Sequence, residues 1–148
     1  MALNPSYASG WLWSGLLNLY AGRTERAIER VETSLRLDPR GNRGRRLAFI
    51  GIAHFFNRRF EEALEKFLSA SEELPSLITT HRFLAACYAH MGRLKEAREA
   101  VERLRTMTPA VLESAEIAAR FRNPEHRELY LSGLRLAVGE EAMSLGGV

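Results

Sequence analysis

Four prolines, Pro5, Pro39, Pro75 and Pro109, stand 34, 36 and 34 residues apart, and residues of similar size recur at fixed offsets before the last three. Twelve residues before each of these stand Ala27, Ala63 and Ala97; eight before stand Val31, Phe67 and Val101; twenty-four before stand Gly15, Gly51 and Ala85. Such a period describes a stack of equivalent units, each a helix pair too small to bury its own apolar face. Small residues let two helices approach closely, and the large one fills the crevice between them. Proline closes the second helix of each unit, because its ring clashes with a continuing helical backbone.

The phase of this pattern resembles the tetratricopeptide repeat, a helix–turn–helix unit with W-x2-L-G-x2-Y, A-x3-F and a terminal proline. Trp11, Gly15, Ala27, Ile28 and Leu37-Asp38-Pro39 carry the resemblance in the first copy. Gly51, Ala63, Leu64, Phe67 and Pro75 carry it in the second, and Leu84, Tyr88, Gly92, Ala97, Val101 and Pro109 in the third. The departures are Ser14 for leucine, Asn18 and His54 for tyrosine, and Arg58 where Gly22 and Gly92 supply the turn glycine. The expected fold is an all-α solenoid of three tetratricopeptide helix pairs with a C-terminal helical cap. The repeats are expected over 8–41, 44–77 and 78–109, with capping helices over 110–139 and a flexible tail over 140–148.

Apolar residues at i, i+3, i+4 and i+7 predict helix pairs over 7–21 and 24–37, 44–57 and 60–73, and 78–91 and 94–106. The connector Arg40-Gly41-Asn42-Arg43-Gly44 absorbs the two extra residues of the second interval and is expected to be an irregular turn. Thr108-Pro109 and Asn123-Pro124-Glu125 are helix starts, the first running to about residue 120. In the second helix Tyr130, Leu134 and Ala137 share one stripe. Leu3-Asn4-Pro5 repeats the form of Leu37-Asp38-Pro39, so residues 1–7 are expected to be the remnant of a preceding repeat. Trp11, Leu12, Trp13 and Leu16 would then leave an apolar N-terminal face suited to self-association.

The segment Phe121-Arg122-Asn123-Pro124-Glu125, with Tyr130, Gly133-Leu134-Arg135 and Ala137, resembles a specific ending. It is similar to the C-terminus of bacterial proteins that join a class III nucleotide cyclase domain to tetratricopeptide repeats. Trp11-Leu12-Trp13-Ser14-Gly15 and Gly51-Ile52-Ala53-His54-Phe55-Phe56 look like the same group, whereas Leu136-Ala137-Val138-Gly139 departs from it. The resemblance implies a regulatory, protein-binding region of such a cyclase, the alternative being a free-standing adaptor. No cyclase catalytic residue is carried over.

Charge and chemistry narrow the function classes. A net charge of +3, with acids interleaved among the arginines, does not make a nucleic-acid footprint. The apolar run from Leu47 to Phe56 is too short to span a bilayer, and no secretory leader pattern opens the chain. The single cysteine, Cys87, excludes an intramolecular disulfide and points to a reducing compartment, hence a cytoplasmic protein. His81, Cys87 and His90 fall on one predicted helix, but only the last two share a face, and no metal-ligand motif occurs. No phosphate loop or nucleophile pair is evident either. Neither an enzymatic role nor a cofactor is expected.

The candidate site is distributed over the first helices. Twenty-six residues before each later proline stand Trp13, Phe49 and Phe83; nineteen before stand Tyr20, Phe56 and His90; Leu16, Ile52 and Ala86 lie between them on the same face. The tetratricopeptide resemblance puts this stripe in the concave groove, where it would suit an apolar peptide. The competing role is simple packing between repeats. Cations at a helix N-terminus oppose its dipole, so Arg45 and Arg46, with Arg82, are either contacts for an acidic partner or part of a solvated loop.

Overall fold

The computed structural model describes residues 5–108 and 118–139, with side chains from residue 7 onward. The N-terminal tripeptide Leu3-Asn4-Pro5 in large part, the helix expected after Pro109 up to residue 117, and the tail 140–148 lie outside the described residues. Seven helices and no strand occur among these: α1 (Pro5–Tyr20), α2 (Thr24–Leu37), α3 (Arg43–Phe56), α4 (Phe60–Glu73), α5 (Ile78–His90), α6 (Leu94–Met107) and α7 (Pro124–Val138). The first six pair as α1–α2, α3–α4 and α5–α6, and each pair stacks on the one before it through α2–α3 and α4–α5. The arrangement is an all-α solenoid.

The second helices are amphipathic, with one apolar stripe at helical spacing. Ala27, Ile28, Val31 and Ser34 are buried on α2; Ala63, Leu64, Phe67 and Ala70 on α4; Ala97, Val101 and Leu104 on α6. The first helices of the later pairs are sandwiched between neighbours and are buried over most of their surface. At Gly51 the two helices of a pair approach so closely that a β-carbon would lie 2.7 Å from the Phe67 ring. Phe67 is fully buried in that crevice. Burying such a ring contributes about 1.5–3 kcal/mol.

All three intra-pair turns close in the same way. The N–H groups of Gly22, Arg58 and Gly92 donate to Leu19, Phe55 and Ala89, and those of Arg23, Arg59 and Arg93 donate to Asn18, His54 and Tyr88. This Schellman pattern places its middle residue in the left-handed region. Gly22 and Gly92 adopt φ of 88° and 77°, and Arg58 is held there too, at 61°. The 38–42 connector is an irregular turn. Gly41 N–H donates to Asp38 Oδ1 at 3.1 Å, Arg46 Nη1 donates to the Asp38 carbonyl at 2.8 Å, and Asn42 is left-handed at φ 48°.

α7 departs from the stacking rule. Of the helices before it, a further first helix would meet chiefly α6, as α3 meets α2 far more than α1. Instead α7 packs chiefly on α5 and less on α6, folding back over the face that the first helices share. Asn123 starts it, accepting a hydrogen bond from Glu125 N–H at 2.9 Å, with Pro124 in the first turn.

Candidate binding groove

Of the nine candidate groove residues, Trp13, Leu16, Tyr20, Phe49 and Ile52 border one cavity, and the chain's own C-terminal segment covers Phe56, Phe83, Ala86 and His90. On α5, the Phe83 ring stacks on Tyr130 with centroids 4.4 Å apart, and Ala86 lies under Gly133. The His90 ring donates from Nε2 to the Leu129 carbonyl at 2.7 Å. On α3, Phe56 is enclosed by Phe121 at 4.8 Å, edge-on, and by His126, stacked at 4.4 Å. Tyr20 meets the Phe121 ring edge-on at 5.5 Å, and its carbonyl accepts from Arg122 N–H at 2.8 Å. Phe56, Phe83 and Ala86 are therefore buried, and the stripe is closed over the third pair.

The remainder stays open. Trp13, Leu16 and Tyr20 of α1 and Phe49 and Ile52 of α3 border a cavity of about 760 Å3. Leu12, Leu19, Leu77 and Phe121 complete its apolar lining, and Ser9, Asn42 and Thr79 add polar groups. Trp13 is 62% exposed on its rim. Among the described residues, the charged residues on the lining are Arg45 and Arg120.

The three candidate arginines are not one surface patch. Arg45 is exposed on the cavity lining. Arg46 is 2% exposed, and its guanidinium closes the 38–42 turn through the Asp38 carbonyl and, at 3.9 Å, the Asp38 carboxylate. Arg82 is also buried, within α5. Both are more than nine-tenths buried, so an acidic partner has Arg45 alone of the three. The physical reason is local: Arg46 lies one turn into α3, within reach of the carbonyl that ends α2, and that bond offsets its unfavourable place in the helix dipole.

The histidines and the cysteine are tied to backbone or ring partners. His81 Nε2 donates to the Pro75 carbonyl at 2.8 Å. Burial pushes the Cys87 thiol up to about 12, and its Sγ lies 3.3 Å from the Phe60 carbonyl, the environment of an inert structural thiol. Burial holds the His126 imidazole below the usual histidine range, with Glu125 opposing the shift. His54 is lowered by burial and then by Arg59, whose Nε lies 3.0 Å from His54 Nδ1. Among the described residues no three His, Cys, Asp or Glu side chains converge as a metal site, and no helix is long and apolar enough to cross a membrane.

Phe121, Arg120, Leu77 and Thr79 were not expected at the site. The α7 stripe was visible as an apolar period, but nothing in that period names the surface it covers.

No protein-family model matches the chain. Over 93 residues, 63% of its length, the chain is 29% identical to human protein O-mannosyl-transferase TMTC3, and it spans 10% of that protein. The crystal structure of MamA superposes with a TM-score of 0.66, covering 97% of this chain and 83% of MamA at 19% identity. Three helix pairs in one phase, their common Schellman turns and this superposition together establish the architecture as a tetratricopeptide-like helical-repeat solenoid.

Proposed function

We propose that the chain is a protein–protein interaction module that holds an apolar segment of a partner protein in the open part of its groove, between α1 and α3. The observation that carries this reading is the cavity of about 760 Å3 lined by Trp13, Leu16, Phe49 and Ile52. Concave apolar surface with few, well-placed polar groups is what peptide recognition uses, and an exposed tryptophan on its rim is a common anchor. A photo-crosslinking residue placed at position 13 or 49, in the source cell, tests it. Adducts with another protein are expected at both positions and not at Glu102, exposed on α6. No adducts at 13 and 49, or equal yields at Glu102, would sink the reading.

The more specific form is a regulatory region of a bacterial nucleotide cyclase, cytoplasmic and carrying the repeats on the C-terminal side of the catalytic domain. The resemblance of Phe121–Glu125 and of the aromatic openings of α1 and α3 supports it. The segment bearing that resemblance is the one that folds over the groove, a reasonable place for control of access. The alternative remains a free-standing adaptor. Reading the gene upstream of Met1 separates them: a cyclase domain in frame supports the first, a stop codon the second.

A further inference from the structure

Resting on the groove reading above, the geometry points to an acidic, amphipathic helix of another protein as the occupant of the α1–α3 cavity, with its carboxylates meeting Arg45 and Arg120. Two independent features carry this. The first is charge. Among the described residues, both charged residues on the lining are arginines and no carboxylate borders the cavity. Both are exposed, and neither forms an ion pair among the described residues, whereas Arg43, Arg46, Arg59, Arg93, Arg105 and Arg135 all do. Arg45 also stands in the first turn of α3, which holds no acidic residue, so the helix dipole adds to its positive field. An apolar cavity rimmed by uncompensated cations repels basic segments and steers acidic ones.

The second feature is the face itself, which already accepts a helix. α7 lies on its third-pair portion with Leu129, Tyr130, Gly133, Leu134 and Ala137 buried at helical spacing. Tyr130 fills the place above Phe83, and Gly133 permits backbone approach at Ala86. Trp13, Leu16, Phe49 and Ile52 continue this face by repeat equivalence. A helix with large apolar side chains at i, i+3, i+4 and i+7 is the ligand form that this geometry has been seen to hold.

Two synthetic peptides with one apolar leucine–tyrosine stripe, flanked in one by glutamates and in the other by lysines, test the inference by isothermal titration calorimetry on the full chain. The acidic peptide should bind about ten-fold more tightly at low salt, the sum of two exposed charge pairs, and the preference should shrink in high salt. Arg45→Glu with Arg120→Glu should reverse the preference. Circular dichroism checks the fold of this variant, since both side chains are exposed. Phe49→Ala should weaken both peptides alike. Equal affinities for the two peptides, both lost in Phe49→Ala, would overturn the acidic partner while leaving the groove reading in place. Binding of neither peptide would overturn the acidic helix, and the crosslinking experiment then judges the groove on its own.

Discussion

Gly133 of α7 rests directly on Ala86 of α5: a β-carbon built on the glycine would lie 2.7 Å from the alanine β-carbon and 2.9 Å from its carbonyl oxygen. The obstacle is partly backbone, which cannot rotate away as a side chain can. The tyrosine–phenylalanine stack and the His90–Leu129 hydrogen bond both depend on α7 sitting at this depth.

Gly133→Ala should therefore destabilise the protein by about 1–3 kcal/mol through overpacking. Gly10→Ala is the control. It lies on α1 with nothing within 4 Å of the added methyl and should raise stability by about 0.5–1 kcal/mol. Urea denaturation of the two variants measures both. A Gly133→Ala protein as stable as the parent would mean that α7 is not held at this distance.

Arg58 occupies the left-handed position that glycine fills in the other two turns. The strain of about 1–2 kcal/mol for a side chain there exceeds the extra chain entropy of glycine, about 0.4–1 kcal/mol. Arg58→Gly should thus stabilise by up to about 1 kcal/mol, and Gly92→Ala should destabilise. A lower melting temperature for Arg58→Gly would show that its guanidinium contributes more than the strain removes.

Phe56 and Phe49, seven residues apart on α3, should behave differently. Phe56 is enclosed by Phe55, Phe83, Phe121 and His126, so Phe56→Ala should cost about 3–5 kcal/mol of folding free energy. Phe49 is half-buried on the cavity wall. Phe49→Ala should lower peptide binding with a much smaller shift in the melting curve. Equal losses of stability would assign Phe49 to the core.

Stability should fall on mild acidification. The folded His126 and His54 rings titrate below the unfolded value of about 6.5, chiefly because they are buried. Below that value the unfolded chain binds more protons than the folded one. The contribution is complete above about pH 6.5 and is lost as the pH falls toward the folded pKa values. His126→Phe keeps the ring against Phe56 and removes one titration, so its melting temperature should fall less between about pH 7.5 and 5.5. Identical falls for parent and variant would remove His126 from the account.

Of the apolar face expected at Trp11, Leu12, Trp13 and Leu16, Leu12 is buried and Trp11 and Leu16 are partly buried. Trp13 is exposed, as are Tyr7 and Leu17 on the same helix, at 67% and 66%. We propose a second copy of the chain as the partner that covers this exposed apolar surface, the simplest closed assembly. Light scattering at micromolar concentration should show dimers, and Leu17→Glu should shift them to monomers. A monodisperse species of 16.7 kDa in the parent would rule this out.

The sequence by itself determined the repeating part of the molecule. Gly15 against Val31, Gly51 against Phe67, and the turns at Gly22, Arg58 and Gly92 are contacts between residues a fixed short distance apart in the chain, and they recur with the proline period. Helix pairing of that kind is legible because each unit meets only its neighbours. The same period put Trp13, Leu16, Tyr20, Phe49, Ile52, Phe56, Phe83, Ala86 and His90 at equivalent positions of the three first helices. Only the tertiary structure decided which of them stay accessible. That depends on where α7 comes to rest, and Gly133–Ala86, Tyr130–Phe83 and His126–Phe56 join residues that no period relates. An apolar stripe specifies that a helix must be covered; the backbone clearance at Ala86 and the ring surfaces of Phe56 and Phe83 select the face that covers it.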